Sequence, residues 1–449
     1  MHRTAALMFW LFITGHLLSP ASMVAGEIEF LSPAAKNPVA AESLHQISWK
    51  ADTSIAPQEK LTLSYSMNDG QDWEQIAQLP ASQSSYIWEI PNQPGKTCLL
   101  RLQTAKSETT ASLKLTISPS RKVSTYQWKN ITMQAPFAFR DGAGALVFQD
   151  KMWLLGGWNP LDKKHFPRIC NNEVWNSSDG LHWDLIKENT YLDKSFDPLQ
   201  DWEGRHTAGY VVYQDQMWIV GGDVNQGHYQ NDVWKSKDGK TWQRLSPKAV
   251  PWAPRALHHT LVFKDKIWVI GGQTMPAFGP SKETFYRDLW NSSDGIHWDE
   301  VKPQEPCWSP RGMIGGNVVF KDRMWILGGG TYDTPTTPKR NFHNDVWSSA
   351  DGVQWKQHTA AAPWFPRQYH DVAVFDGRMW VMEGFHSQGR NRKDVWYSDD
   401  GVNWYELPDT PWKARHAASV FVFDGGLWMV TGNNFESDVW KLVKTNTPE

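Results

Sequence analysis

Cysteine is scarce in this sequence, because the 449 residues contain only Cys98, Cys170 and Cys307. Three thiols exclude a disulfide-rich scaffold and a zinc cluster built from cysteine alone. An excess of charge of one sign is also lacking, since 45 Lys and Arg residues stand against 48 Asp and Glu residues. This balance argues against nucleic acid as a partner and against a polybasic membrane anchor.

Long apolar segments are lacking as well, except at the start of the chain. Residues 1–26 contain one basic residue, Arg3, then an apolar run over residues 5–13 and small residues up to Gly26. This order predicts a cleaved secretory signal over residues 1–26. A membrane-spanning helix needs about 18 continuous apolar residues, and the run is shorter than that. We therefore expect a secreted or periplasmic protein that does not span a membrane.

Tryptophan, by contrast, is abundant, with 28 residues beside 33 glycines and 27 prolines. Aromatic side chains favour strands, while glycine and proline mark the turns that join them. The composition therefore predicts an all-β protein rather than a helical one.

Residues 27–118 show short runs in which polar and apolar residues alternate. Alternation with a period of two indicates half-buried strands, and the sequence from Asn68 to Gly70 is typical of a tight hairpin turn. About seven such runs predict a β-sandwich, with Cys98 as a buried free thiol. The segment resembles the immunoglobulin-like and fibronectin-type modules of secreted surface proteins. We assign residues 119–125 to a linker.

The remainder of the chain is repetitive. Each unit has an apolar strand, a second strand that carries a tryptophan, a third tryptophan-bearing strand, a Ser-x-Asp-Gly turn and a fourth tryptophan. The second-strand tryptophans are Trp153, Trp218, Trp268, Trp325, Trp380 and Trp428. The third-strand tryptophans are Trp175, Trp234, Trp290, Trp347, Trp396 and Trp440. The fourth-strand tryptophans are Trp183, Trp242, Trp298, Trp355 and Trp404, so the sixth repeat lacks its fourth strand.

A segment upstream of the first repeat supplies the missing strand. Tyr126 to Lys129 has the pattern of a fourth strand, so we expect it to close a ring over residues 126–443, with a tail over residues 444–449. Four-stranded units of this length, with Gly-Gly at the end of the second strand, resemble kelch repeats. The resemblance implies a six-bladed kelch β-propeller, similar to the central domain of galactose oxidase and to bacterial sialic acid epimerases.

The loop that enters each blade carries an aromatic residue and, three positions later, an arginine. The arginines are Arg140, Arg205, Arg255, Arg311, Arg367 and Arg415. One interpretation is a cationic, aromatic-lined funnel, since guanidinium groups bind carboxylates and aromatic rings stack on sugars. The other is a structural role, in which the pairs hold neighbouring blades together. Because every blade has the pair, we favour the structural role.

Specific chemistry is expected where the repeat is broken. In blade five Glu383 replaces the first glycine of the Gly-Gly pair, and a buried charge there either pairs with Arg367 or a neighbour, or acts on a ligand. Glu383, His370 and Arg367 are the candidate catalytic residues, as general acid/base and carboxylate clamp. The candidate ligand-binding residues in the loops of this face are Trp158, Arg205, His206, His258, His386, Arg415 and His416.

A metal or another cofactor is not expected. The histidines near this face are spread over different blades and lack the close spacing of metal ligands. They are His206, His258, His259 and His370. The copper chemistry of galactose oxidase needs two tyrosines and two histidines, and no such set is evident. A Cys170–Cys307 disulfide is not expected, because the blade-one loop would have to fold across the funnel.

Together, these features predict an exported, monomeric two-domain protein. Its expected ligand is a carbohydrate, preferably acidic, bound on the loop-rich face of the propeller. An enzyme on the same face, a sugar epimerase or polysaccharide lyase, is one alternative. A protein-interaction scaffold without a small ligand is another, because fold alone does not determine function.

Overall fold

The computed structural model describes residues 28–33, 38–105, 110–123, 125–225, 227–245, 250–274, 283–312, 317–331, 340–386 and 388–445. The predicted secretory signal lies outside the described residues. Within them every regular element is a β-strand, which confirms the predicted all-β fold. No helix in that part of the chain has the length and apolar character to cross a membrane.

Eight strands form two sheets in the N-terminal part of the chain. They are β1 (Ile28–Ser32), β2 (Val39–Ala40), β3 (Leu44–Ala51), β4 (Lys60–Ser66), β5 (Glu74–Pro80), β6 (Ser85–Glu89), β7 (Thr97–Thr104) and β8 (Thr110–Ser118). One sheet has the order β1-β3-β6 and the other the order β2-β8-β7-β4-β5. Both sheets contribute to one hydrophobic core, which includes Trp49, Trp88 and the free thiol of Cys98. Between β4 and β5, Asp69 and Gly70 adopt the positive φ angles expected of a tight turn, 52° and 85°.

The rest of the chain forms six four-stranded antiparallel sheets, which we call blades 1 to 6. The strand β9 (Tyr126–Thr132) precedes them. Blade 1 contains β10 (Gly144–Phe148), β11 (Lys151–Leu155), β12 (Val174–Ser177) and β13 (Asp184–Lys187). Blade 2 contains β14 (Gly209–Tyr213), β15 (Gln216–Asp223), β16 (Tyr229–Ser236) and β17 (Gln243–Arg244). Blade 3 contains β18 (His259–Phe263), β19 (Lys266–Ile270), β22 (Leu289–Ser292) and β23 (Asp299–Val301), with a small hairpin of β20 (Gln273–Thr274) and β21 (Thr284–Phe285).

The second half of the ring follows the same plan. Blade 4 contains β24 (Asn317–Phe320), β25 (Arg323–Thr331), β26 (Asn341–Ser349) and β27 (Trp355–Thr359). Blade 5 contains β29 (Asp371–Phe375), β30 (Arg378–Met382), β33 (Val395–Ser398) and β34 (Tyr405–Leu407), beside the short strands β28 (Arg367–Gln368), β31 (Phe385–His386) and β32 (Arg390–Asn391). Blade 6 contains β35 (Ser419–Phe423), β36 (Gly426–Val430) and β37 (Val439–Lys444).

Blade 6 takes its fourth strand from the start of the repeat region. Strand β9 pairs antiparallel with β37, placing Trp128 opposite Leu442. The ring of Trp128 packs edge-on against Trp412 with centroids 5.7 Å apart, as fourth-strand tryptophans do in other blades. The first strands of consecutive blades are in contact, and the first strand of blade 6 contacts that of blade 1. These contacts join the six blades in a ring.

Backbone hydrogen bonds run around the inner end of this ring. The N–H of Gly142 in blade 1 donates to the carbonyl of Ala417 in blade 6 at 2.9 Å, and the N–H of Thr207 in blade 2 donates to Gly142 at 2.8 Å. Leu257 of blade 3 donates to Thr207, and Ala417 donates to Tyr369 of blade 5. All five residues have positive φ angles, between 51° and 58°. They surround the mouth of the central channel.

Tryptophan layers hold neighbouring blades together. The second-strand tryptophan of one blade packs on the glycine of the Ser-x-Asp-Gly turn in the next blade. A Cβ atom added to Gly239 of blade 2 would lie 2.4 Å from a ring carbon of Trp153 in blade 1. A Cβ atom added to Gly180 of blade 1 would lie 2.3 Å from a ring carbon of Trp428 in blade 6. Only glycine fits beneath these rings, which explains why the turn ends in glycine.

The N-terminal sheets contact the ring at blades 4 and 5. The N–H of Leu44 donates to the carbonyl of Trp404 at 2.9 Å, and the N–H of Ala40 donates to the side chain of Asn403 at 2.7 Å. His45 lies 3.2 Å from the same asparagine oxygen, and burial lowers the pKa of His45 to about 4. Nδ2 of Asn344 in blade 4 also donates to the side-chain oxygen of Gln46 at 3.2 Å.

Candidate functional site

The six repeated arginines lie inside their blades. In blade 2, Arg205 donates to the carbonyl of Gly221 at 3.0 Å and makes two bonds with the carboxylate of Asp232, at 2.6 and 3.1 Å. Every blade repeats this pair of partners for its arginine. One partner is a carbonyl at the Gly-Gly position, and the other is a carboxylate near the third strand. The other carboxylates are Glu173, Asp288, Asp345, Asp394 and Asp438.

These ion pairs cancel the arginine charges within each blade. Burial opposes the charge of Asp394, but Arg367 and the indole N–H of Trp396, at 2.6 Å, lower the pKa of Asp394 to about 2. Arg205, Arg367 and Arg415 are each 0% exposed. These guanidinium groups therefore do not line a cationic funnel, and we do not assign them to a ligand. Their role is structural, and their ion pairs lie within a blade rather than between blades.

The three candidate catalytic residues are neighbours but do not face a common cavity. A Cβ atom added to Gly384 would lie 2.7 Å from His370 and 3.2 Å from Arg367. Nε2 of His370 lies 2.7 Å from the carbonyl of Leu327 in blade 4. All three side chains, including Glu383, are 0% exposed. His370 and Arg367 therefore have structural partners and no access to a ligand.

His258 in blade 3 repeats the contact of His370. Its Nε2 lies 3.1 Å from the carbonyl of Val220 in blade 2. Because a carbonyl only accepts, Nε2 of each histidine carries the hydrogen and Nδ1 is left as an acceptor. Burial lowers the pKa of both imidazoles to about 3, so both are neutral. Each histidine links its blade to the preceding one.

Glu383 pairs with Asp371 and not with Arg367. The two carboxyl groups are hydrogen-bonded to each other, and Oε2 of Glu383 accepts the N–H of Gly384 at 2.7 Å. Burial raises the pKa of Asp371 to about 7 and the pKa of Glu383 well above its usual range. The proximity of two carboxyl groups adds to this effect on Glu383. Glu383 has a φ of 48°, a left-handed conformation that glycine adopts in four of the other blades.

Asp371 also lines a cavity of about 150 Å³ at the centre of the ring. The lining residues include Gly142, Thr207, Tyr210, His258, Thr260 and Asp371. The hydroxyl of Tyr210 and Nδ1 of His258 are buried without a hydrogen-bond partner among the described residues. Buried polar atoms are normally satisfied by protein, water or ligand. The cavity is therefore a polar chamber rather than a packed core.

At the mouth of this chamber, the residue after each repeated arginine faces the residue after the Gly-Gly pair. In blades 6, 1 and 2 the first of these residues is His416, Asp141 and His206, respectively. Blades 3 and 4 have Ala256 and Gly312 at the same position. Blade 5 has Gln368, whose amide donates to Gln273 of blade 3 at 3.2 Å. At this position the acidic and imidazole side chains come from blades 6, 1 and 2, and we call His416, Asp141 and His206 the polar sector.

His206 is held between two loops. Its Nδ1 lies 3.3 Å from the carbonyl of Asp223 and 3.4 Å from Sγ of Cys170. The half-buried ring of Trp158 stacks on the imidazole, with centroids 6.0 Å apart and planes at 25°. Burial lowers the pKa of His206 to about 4 and raises the pKa of the Cys170 thiol well above its usual range. The imidazole is therefore neutral and the thiol is not an activated nucleophile; Cys170 and Cys307 are both free.

Asparagine side chains orient the rest of the polar sector. Nδ2 of Asn391 donates to the carbonyl of Asn433 at 2.8 Å, and Oδ1 of Asn391 lies 2.7 Å from Nδ1 of His416. Nδ1 of His416 therefore carries the hydrogen, and Nε2 is an acceptor. Burial lowers the pKa of His416 to about 3. Asp141 accepts from Nδ2 of Asn433 at 2.5 Å, and burial raises the pKa of Asp141 to about 7.

Aromatic rings flank this sector on the blade 5 side. Tyr369 and Phe385 lie 5.2 and 5.3 Å from the imidazole of His416, measured between ring centroids. His386 packs edge-on against Phe365 at 5.0 Å and is 8% exposed. His386 therefore packs within its own loop region, while Tyr369 and Phe385 are half-buried beside the mouth.

The structure separates the predicted ligand-binding residues into two groups. Those at the mouth are Trp158, His206 and His416. Those enclosed by their blades or loops are Arg205, His258, His386 and Arg415. Two carboxyl groups of the site, Asp141 and Asp371, are not among the predicted residues. Each stands where the other blades have no acidic residue, which is the sequence signal that identifies them. No group of three metal-ligating side chains occurs among the described residues.

Comparison with known protein sequences gives a short, partial match. No protein-family model matches the chain. A leucine-zipper-like transcriptional regulator 1 homolog from Drosophila melanogaster is 25% identical over 196 residues. The alignment covers 43% of this chain and 14% of the Drosophila protein, so the chain spans only a small part of that relative.

Comparison with solved structures supports the fold. The kelch β-propeller described as "Structure of YjhT" is similar to this chain with a TM-score of 0.51 and 13% identity, covering 69% of this chain and 95% of that one. The family 117 glycoside hydrolase Zg3597 from Zobellia galactanivorans gives a TM-score of 0.38 and 12% identity, covering 73% of this chain and 93% of that one. The first similarity places the chain among β-propeller folds, and the second is too low to support an argument.

Proposed function

We propose that this chain is a carbohydrate-binding protein whose ligand lies at the mouth of the chamber, over blades 6, 1 and 2. The observation that supports this most directly is the polar sector of His416, Asp141 and His206 beside the half-buried ring of Trp158. A sugar ring presents apolar C–H groups on its faces and hydroxyl groups at its edge. An indole ring offers a surface for the former, and imidazole and carboxyl groups are partners for the latter.

The geometry favours an uncharged sugar at the mouth. The expected preference for an acidic glycan depended on the arginine ring, and carboxylates within the blades already pair with those guanidinium groups. The two imidazoles are neutral, because burial lowers the pKa of His206 to about 4 and that of His416 to about 3. A ligand carboxylate beside Asp141 would be repelled once Asp141 ionises. We therefore propose a neutral carbohydrate ligand rather than an acidic one.

A glycan array tests the proposal. The array carries neutral and uronic oligosaccharides, and the purified protein is applied at pH 6. We expect binding to neutral glycans and a loss of at least about tenfold in affinity for Trp158→Ala, because stacking area is removed. Trp73→Ala is the matched control, since Trp73 is a half-buried tryptophan of the N-terminal sheets. An array without bound spots, or equal binding by Trp158→Ala and the unmodified protein, contradicts the proposal.

A second candidate function is an enzyme that acts on a carbohydrate at the same place. It is favoured by the pKa of about 7 that burial gives to Asp141 at the mouth and to Asp371 in the chamber. A carboxyl group that titrates near neutrality is suited to general acid or base catalysis. Proton NMR of an oligosaccharide panel over one day separates the two functions. New sugar resonances identify an enzyme, whereas line broadening without new resonances identifies a binding protein.

Export is part of the proposal and is supported by the pattern of residues 1–26. We expect the protein from a secreted or periplasmic fraction to begin at Glu27. N-terminal sequencing measures this directly. A protein that retains Met1 and stays in the cytoplasmic fraction contradicts export without affecting the proposed ligand.

A further inference from the structure

Exposed apolar side chains lie on the loop-rich face of four blades. They occupy the loops that enter a blade or follow its second strand, which are the loops that also form the mouth. These side chains, which we call the rim residues, are Met133, Leu161 and Phe166 of blade 1, Leu199 of blade 2, Phe365 of blade 5 and Phe435 of blade 6, and each is 45–61% exposed. Blades 6, 1 and 2 also carry the polar sector. Blade 5 contributes the half-buried rings of Tyr369 and Phe385 beside the mouth.

The loops that present these side chains are held in place. The ring of Phe435 packs on Phe139, with centroids 5.1 Å apart. Arg168 donates to the carbonyl of Tyr191 at 2.6 Å, which joins the blade 1 loop to the loop that enters blade 2. Apolar surfaces that are ordered before binding lose less conformational freedom when a ligand arrives. The rim residues therefore offer a preformed surface rather than a collapsed one.

The polar sector and the rim residues differ in their distance from the channel. The polar sector surrounds the mouth, and the rim residues lie farther along the same loops. A single sugar at the mouth would contact Trp158 and leave the rim residues in water. An exposed apolar surface that is bordered by polar groups marks a binding surface. The rim residues lie on separate loops, and neutral hydrogen-bonding groups lie between them. This arrangement suits successive sugar rings better than one flat protein surface.

We propose that the ligand is a linear oligosaccharide of several sugar units that lies across the mouth. This inference rests on the proposed carbohydrate-binding function. One unit stacks on Trp158, and its neighbours contact the rim on both sides of blade 1, at Leu199 and at Phe435. The Nε2 acceptor of His416 binds a hydroxyl group of the unit at the mouth, while the carboxyl group of Asp141, which is 4% exposed, holds the side chain of Asn433.

A length series tests the inference. Malto-, cello-, xylo- and galacturono-oligosaccharides of one to six units are arrayed, and the affinity of each bound glycan is then measured by calorimetry. We expect the affinity for hexasaccharides to exceed that for monosaccharides of the same series by at least about tenfold, because each added apolar contact contributes. Equal affinities along a bound series overturn the inference but leave the proposed function in place. An array without any bound glycan overturns both.

Rim variants locate the added contacts. We expect Leu199→Ala and Phe435→Ala each to weaken hexasaccharide binding severalfold while disaccharide binding stays unchanged. Leu181→Ala is the matched control, because Leu181 is 47% exposed in a turn between the third and fourth strands, at the opposite end of blade 1. Thermal unfolding of all three variants verifies that the fold is intact. Hexasaccharide affinities that match the unmodified protein in both rim variants overturn the inference.

Discussion

The carboxyl groups of Glu383 and Asp371 face each other inside blade 5. Their carboxyl groups are in hydrogen-bond contact, yet Oε1 of Glu383 and Oδ2 of Asp371 receive no hydrogen from any other described group. Two ionised carboxylates in contact would repel each other in a site shielded from bulk solvent. A proton between them removes one charge and satisfies both oxygens. This pair, and not a salt bridge with Arg367, explains how the carboxyl group of Glu383 is tolerated at a glycine position.

Glu383→Gln is expected to make folding stability less sensitive to pH. In the folded protein the pair holds a proton that the unfolded chain releases above about pH 4. The free energy of unfolding therefore falls as the pH rises toward the raised pKa values of the folded pair. A glutamine amide donates to Asp371 without needing that proton. Thermal unfolding should therefore show a smaller decrease in Tm between pH 5 and pH 8 than in the unmodified protein. Glu300→Gln, at an exposed position, is the control; an unchanged pH dependence in Glu383→Gln contradicts the shared proton.

His370→Ala is expected to lower stability without weakening glycan binding. The change removes the 2.7 Å contact with the carbonyl of Leu327 and leaves that buried acceptor unpaired, at a cost of about 1–3 kcal/mol. Denaturant unfolding and calorimetry with a bound glycan measure the two effects. His297→Ala, at a side chain that is 86% exposed, is the control and should be close to neutral. A variant with normal stability and lost binding or turnover would return His370 to the catalytic candidates.

Arg415→Met is expected to destabilise the ring strongly. The carboxylate of Asp438 would lose its two bonds to the guanidinium group, at 2.8 and 2.6 Å, in a site where both side chains are 0% exposed. An unpaired buried charge costs about 3–5 kcal/mol. The double variant Arg415→Met/Asp438→Leu should recover part of this loss, as urea unfolding will show. If the single variant loses less free energy of unfolding than the double variant, the ion pair does not stabilise the blade.

The sequence carries enough information to predict the architecture because the packing layers repeat. Trp128 shows the fourth-strand pattern without a repeat of its own, and in the structure it packs on Trp412 in blade 6. The partner of each repeated arginine was also predictable. An acidic residue stands two positions before every third-strand tryptophan, as Asp232 does before Trp234. That second periodicity identifies the arginines as structural.

The site was less predictable, because it depends on the conformation of single residues. Glu383 reaches Asp371 because it adopts a left-handed backbone conformation. No pattern of residue types specifies that conformation. Likewise, Asp141 lies beside Asn433 because blades 1 and 6 are neighbours in the ring, although the two residues are far apart in the chain. Contacts across the ring closure follow from topology, so they become visible only once the blades are placed.

Gly239→Ala and Gly377→Ala separate steric clash from backbone strain. Both glycines have left-handed φ angles, 72° and 68°, so alanine brings a similar strain of about 1 kcal/mol at each. At Gly239 the new Cβ would also lie 2.4 Å from a ring carbon of Trp153, whereas at Gly377 nothing lies within 4 Å. We therefore expect a loss of about 1 kcal/mol for Gly377→Ala and at least about 3 kcal/mol, or a failure to accumulate as soluble protein, for Gly239→Ala. Urea unfolding and soluble yield measure both. Equal losses would mean that the tryptophan ring moves aside, and that the contact between blades 1 and 2 is looser than the packing of Trp153 indicates.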